Sequence, residues 1–512
     1  MGNKNFRIFI GCLAGTLLLL FRHGYTFGSG DQSEMLPYTK YLIDNHLYPS
    51  DFYIQSLAAS VPNERYVFSW FLSLFGNQLS WVVLGLHFLT TMFLILGLYR
   101  FVENSMRTEG GRWLAALAPM MLLYGVNLGG NEIYYNTFVP SYVAQVIGLW
   151  AFLYAMRGEA LPLYVLLMLM TYIHPLIGLQ VWLLINLSFL IIRFSQNKDG
   201  NLFSFLIFNA LYLATAGFYV YKIKNGFDSN NVNAQEFLDI IAFRAPHHYY
   251  PHTFPVRNWF ILVLPFYLGW RISSGFVRFS YRWVLVGAVV YIIGVYIFKN
   301  PTPLSMQWFA TTVWLKTFSM LITLTFVEDL MEKTSFHKKI LEHKYFIIKY
   351  LVVASLVSLI FMTPQYRLFK QKFYDFPFFK IDNSEVGISI SVKEKTPKDA
   401  LFLIPSDLSE FRFWSERSSF IDYKATNHRQ AVFVEWYKRI QKVYNISLSD
   451  RLKGANLTEL ANQNFQKWRE EDLLEMSVNQ HITHILTNKN VVLNFPKIAE
   501  NDKYVVYEIL RH

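Results

Sequence analysis

The chain has 512 residues, of which 53% are hydrophobic, 18% aromatic and 16% charged, and its net charge is +11. A soluble chain carries about 25% charged residues, so this composition and its long apolar runs exclude an ordinary soluble enzyme and predict a polytopic α-helical membrane protein. The single cysteine, Cys12, excludes an intrachain disulfide and a thiolate metal cluster, and the positive charge fits basic cytoplasmic loops rather than a nucleic-acid surface.

Apolar runs predict about 11 transmembrane helices, at 6–22, 79–101, 112–128, 141–157, 160–174, 176–194, 201–221, 257–271, 283–299, 306–327 and 344–362. The first has basic flanks and no small-residue cleavage site, so it reads as a retained anchor. Residues 66–76 are too short to cross and fit the membrane interface or an extension of the next span. Pro175 splits the fifth and sixth runs, which could instead form a re-entrant hairpin. Lys and Arg concentrate in one set of short loops, among them Arg100, Arg107, Arg271 and Arg278, which predicts a cytoplasmic N-terminus. The loops on the opposite face are longer and chemically varied, so that outer face is the expected place for function.

The loop 23–65 carries Asp31, Glu34, Asp44 and Asp51. Asp44-Asn45 and Ser50-Asp51 are good turn and cap pairs. Asp31 follows a Gly-Ser-Gly hinge close to the end of the first span, where a carboxylate can act as a base or hold a cation. Glu34, in the same loop, is offered as a substrate contact. Glu132, in the second outer loop, follows a Gly-Gly pair and precedes Tyr134 and Tyr135; its bland reading is an interfacial glutamate facing water. His174 precedes Pro175 at a helix end, as a packed histidine or as a phosphate or sugar contact. The stretch FRAPHHYYPHTFP brings Arg244, His247 and His248 among aromatic rings, a composition suited to an anionic substrate; the histidine spacing matches no zinc pattern. Lys316 lies well inside the tenth span, where a charge is costly unless it snorkels or has a task.

From about residue 363 the character changes. ALFLIP (400–405), SSFIDY (418–423), ITHILTN (482–488) and YVVYEIL (504–510) predict strands, while Gln430 to Tyr444 and Asn456 to Met476 predict helices, the second open to a break. The expected organisation is a transmembrane domain over 1–362, a linker over 363–395 and a small α/β extracytoplasmic domain over 396–512. Glu416, Arg417, Asp422 and Lys424 in the tail read equally as a contact to the membrane domain or an acceptor and as a structural salt-bridge cluster. No phosphate-binding glycine loop, dinucleotide fingerprint or nucleophile elbow occurs.

Taken together, GDQ with YLIDNHLYPSDF, the IHPLIG turn, FRAPHHYYP, the tail phrase TPKDALFLIPSDLSEFRFWSERSSFIDYKA and HITHILTNK resemble the GT-C superfamily of integral membrane glycosyltransferases, in an uncharacterised bacterial branch with a domain of unknown function. The resemblance implies transfer of a sugar from a polyprenyl-phosphate donor to a glycan, lipid or protein acceptor on the outer face of a bacterial inner membrane. It implies Asp31 as the base and Glu132 as the second acidic residue. Arg244 and the neighbouring His247 and His248 would hold the donor phosphate, while Glu34, His174 and Lys316 are offered as substrate contacts from their residue type and position. The resemblance fixes no cofactor; a divalent cation, Mg or Mn, is one candidate, and no acidic pair of the Asp-x-Asp kind accompanies Glu132. Two other classes fit parts of the pattern: a transporter or flippase of a lipid-linked saccharide, and a non-catalytic cell-envelope assembly protein.

Overall fold

The computed structural model describes residues 2–196, 202–227, 233–272, 275–333 and 384–509. The eleventh expected span, 344–362, and most of the linker lie outside the described residues. The chain divides into two compact units that interleave along the sequence. One comprises Met1–Tyr25, Leu84–Phe218 and His247–Phe373, the other Thr26–Val83, Tyr219–Pro246 and Tyr374–His512.

Among the described residues, the regular elements of the first unit are all helices. Six helices of the described chain are long and apolar enough to cross a membrane: Lys4–His23, Gly76–Val102, Pro175–Ile192, Leu202–Asn225, Phe276–Ile297 and Thr302–Met331. The chain is a multi-pass membrane protein. The count differs from the eleven expected, because Glu109–Leu122, Pro140–Arg157, Ala160–Ile173 and Val256–Ile272 are helices that are shorter or less apolar. His174 stands in extended backbone between Ala160–Ile173 and Pro175–Gln196, so Pro175 starts a new helix at the position where its missing N–H costs nothing.

Apolar side chains cannot distinguish a neighbouring helix from lipid, so polar contacts help to define the packing. Tyr164 donates to Asn186 at 2.7 Å and accepts from Asn209, whose Oδ1 receives Trp182 Nε1 at 2.9 Å. The Thr171 and Tyr212 hydroxyls lie 2.9 Å apart, and those of Tyr281 and Ser319 2.6 Å apart.

The second unit is built on a five-stranded mixed sheet. Its strands are β1 (Leu401–Leu403), β2 (Ser418–Ser419), β3 (His484–Asn488), β4 (Lys497–Glu500) and β5 (Tyr504–Glu508), in the order β2-β1-β3-β5-β4. β1 runs parallel to β2 and β3, whereas β5 is antiparallel to both β3 and β4. The side chains of central β3 are buried from His484 to Thr487, on both faces of the strand. Ile388, Val392, Phe402, Ile404, Leu486 and Val506 form much of the core beside it.

The remaining parts of this unit are remote in sequence. Helices Gln32–Ile43, Phe52–Ala58 and Tyr66–Ser73 come from the first loop, and Ala234–Arg244 from the segment after the seventh span. Tyr38, Leu47, Tyr48, Tyr53, Ile54 and Leu57 pack with Ala425 of the tail. Phe237 packs edge-on to Phe433, and Phe243 sits against Tyr437 of helix Gln430–Tyr444.

Candidate active site

In the first unit, the loop after helix Glu109–Leu122 turns through Gly129 and Gly130, with φ of 80° and 83°. These are left-handed values that suit glycine. A Cβ on Gly130 would also strike the His248 ring, and one on Gly129 would come within 2.7 Å of the Phe309 backbone. Asn127 ties the turn together: its Oδ1 accepts from Gly130 N at 3.1 Å and its Nδ2 donates to Glu132 Oε1 at 2.5 Å. Asn258 Nδ2 in turn donates to the Asn127 carbonyl at 2.8 Å.

Glu132 is thereby drawn inward. Gly125 N donates to its Oε1 at 3.1 Å, and Lys316 Nζ donates to its Oε2 at 2.6 Å. Lys316 also donates to the Leu123 carbonyl at 3.2 Å. The lysine is 1% exposed and the glutamate 8%. Neither the snorkelling reading of Lys316 nor the water-facing reading of Glu132 describes this arrangement; each neutralises the other. Burial, and then the Glu132 charge, push the Tyr124 hydroxyl up to about 12. The His248 ring stands 4.2 Å from that of His247, and its Nδ1 lies 3.3 Å from the Gly129 carbonyl. Glu132, Lys316 and His248 therefore belong to one structured turn. His174 is half-buried, and its Nδ1 accepts from Ile177 N at 3.4 Å, at the start of helix Pro175–Gln196.

In the second unit, Gly28 and Gly30 have φ of 77° and 59°, and a Cβ on Gly28 would come within 2.9 Å of the Phe413 ring. The hinge read from the sequence therefore also permits a close approach. Asp31 stands at the start of helix Gln32–Ile43 without making a side-chain cap bond. Its side chain is 62% exposed, and Oδ1 lies 3.3 Å from Lys424 Nζ. Glu34 forms an ion pair with Arg65. Arg244 donates from Nη2 to the Lys424 carbonyl at 2.6 Å, with its guanidinium over the Tyr423 ring. Lys424 thus links Asp31 to Arg244, two residues that the sequence singled out separately.

Beneath this group lies a buried charge network. Arg412 Nε donates to Asp51 Oδ2 at 2.5 Å, and Arg412 also pairs with Asp422. All three side chains are at most 1% exposed. Asp51 Oδ1 caps the next helix by accepting from Ile54 N at 3.0 Å, and Asp44 Oδ1 accepts from His46 N at 3.0 Å, as the cap and turn readings expect. Arg412, Arg65 and Asn127 escaped sequence reasoning. Arg412 bonds a residue 361 positions away, and no local pattern announces such a partner.

Among the described residues, no group of three or more His, Cys, Asp or Glu side chains could hold a metal ion. Asp31 and Glu132, the carboxylates offered to a divalent cation, each face a lysine instead. This donor set does not fit Mg or Mn.

Residues 390–443, which include Arg412, Asp422 and Lys424, match the family model described as "Domain of unknown function (DUF6798)". No curated protein matches the chain. Among solved structures, it is similar to the crystal structure of ArnT from Cupriavidus metallidurans in the apo state. The identity is 10% and the TM-score 0.40, over 99% of this chain and 98% of that one. Likeness at that level fixes neither topology nor chemistry.

Proposed function

We propose that this chain is a membrane glycosyltransferase that moves a sugar from a polyprenyl-phosphate donor to an acceptor hydroxyl on the outer face of a bacterial inner membrane. The reaction class follows from the sequence resemblance to GT-C enzymes. The observation that carries the assignment of the base is the accessibility of Asp31: Glu34 is paired with Arg65 and Glu132 accepts from three donors, whereas Asp31 is 62% exposed with one partner at 3.3 Å. A general base must reach its proton.

Asp31 takes the acceptor proton while the acceptor oxygen bonds to the anomeric carbon. The bond from that carbon to the donor phosphate oxygen breaks, and the polyprenyl phosphate leaves with the electron pair. Arg244, in the same unit as Asp31, is assigned to the anionic donor, since positive charge and hydrogen-bond donors favour the departing phosphate; His247, His248 and Lys316 are offered for that role by residue type alone. Glu132 acts as the partner that keeps Lys316 in place, and no step runs through a metal. The cytoplasmic N-terminus and the outer position of residues 396–512 belong to the same proposal.

The class is tested by offering membranes that contain the folded chain a panel of radiolabelled polyprenyl-phosphate sugars, with total cell lipid and glycan as acceptors. Incorporation of label above that of membranes lacking the chain is expected. No incorporation from any donor contradicts the proposal.

A further inference from the structure

Asp31 meets a cation that lies nearly four hundred residues further along the chain. The backbone around Lys424 is held firmly although its side chain is 29% exposed. Asp422 Oδ1 accepts from the amides of both Lys424 and Ala425 at 2.6 Å, which forms a tight turn. The Lys424 carbonyl is occupied by Arg244. Asp422 is anchored by buried Arg412, which also grips Asp51 in the first loop. The same arginine therefore braces the turn that carries Lys424 and the loop that carries Asp31.

We infer that Lys424 is a positioning residue for Asp31. It engages Oδ1, fixes the plane of the carboxylate and leaves Oδ2 to meet the acceptor hydroxyl. The stretch 390–443 is thereby part of the catalytic apparatus. This rests on the reading of Asp31 as the base. An exposed ion pair adds little to stability, so the effect of removing the lysine falls on the rate rather than on the fold. Misplacement of a reacting group by about 1 Å can cost about a hundredfold.

The test compares wild type, Lys424→Met, Lys424→Arg and Asp31→Asn in membranes holding the full chain, with radiolabelled polyprenyl-phosphate sugars as donors. Lys424→Met is expected to lower kcat by about 10- to 100-fold with the donor KM little changed, and Lys424→Arg to restore most of the rate. Wild-type kcat in Lys424→Met beside a dead Asp31→Asn overturns the inference and leaves the base standing. Failure of Lys424→Arg to restore the rate also overturns it. An active Asp31→Asn removes the base reading, and the inference falls with it. A second readout needs no substrate: carbodiimide-driven amidation of Asp31, followed by mass spectrometry with Glu34 as the internal reference. Lys424→Met is expected to raise labelling of Asp31 several-fold relative to Glu34. Unchanged labelling overturns the inference.

Discussion

At the scale of single residues, the decisive feature is how charge is matched. A buried ion pair contributes little over an apolar pair of the same shape, but removing one partner strands the other at a cost of about 3–5 kcal/mol. Lys316 and Glu132 form such a pair at 2.6 Å. Lys316→Met should therefore lower the unfolding midpoint of the purified protein sharply, and adding Glu132→Gln should recover much of the loss. A double variant as unstable as the sum of its singles would show that the two charges are not coupled. The sequence marks Lys316 and Glu132 separately, as a charge inside an apolar run and a carboxylate after two glycines. It carries no sign that they meet, because their contact spans 184 residues.

Elements were more legible than their partners. Helix Gln430–Tyr444 has the expected bounds, since Phe433, Trp436, Ile440 and Tyr444 recur at helical spacing and are buried. The expected broken helix resolves into Leu457–Phe465 and Glu470–Gln480. Strand β4 went unread because it lies at the sheet edge and exposes Lys497 and Glu500, leaving little apolar signal. Strand β3 supplies a pH-dependent prediction. Burial, and then the nearby Arg417 charge, push the His484 imidazole from 6.5 down to about 4, and it stacks on Phe402. Between those two values the unfolded chain binds a proton that the folded tail excludes. Stability is thus fully present above about pH 6.5 and is lost towards pH 4, by up to about 3 kcal/mol. Protease cleavage of the tail in the full-length protein should rise from pH 7 to pH 5, and His484→Leu should flatten that response. The Arg412 network gives another test at this scale. Arg412→Met leaves Asp51 and Asp422 buried without their cation, so it should destabilise the second unit by about 3–5 kcal/mol, read as a loss of protease resistance in both the first loop and the tail. Resistance equal to wild type would contradict a bracing role.

At the scale of the whole molecule, the membrane class was plain in composition and the two-unit organisation was not. Apolar runs identify helices because each run is local, but of the ten expected spans within the described residues six have the length and composition to cross. Runs such as 112–128 and 160–174 were counted as spans although they close as 14-residue helices. The first loop reads in sequence as a connection between spans, whereas Thr26–Val83 folds with the tail around contacts such as Asp51 to Arg412 and Tyr48 to the Arg412 carbonyl. Likewise, Asp31 and Arg244 stand out by residue type, while Lys424, which joins them, is one of four tail charges that read equally as a contact surface and as a salt-bridge cluster.

The central claim is that Asp31 is the base of a sugar transfer. The most direct measurement is label transfer from polyprenyl-phosphate sugars in membranes with equal amounts of wild-type protein and Asp31→Asn. Loss of at least about a hundredfold in the variant is predicted, the usual size for removal of a general base. Transfer at the wild-type rate by Asp31→Asn would contradict the claim.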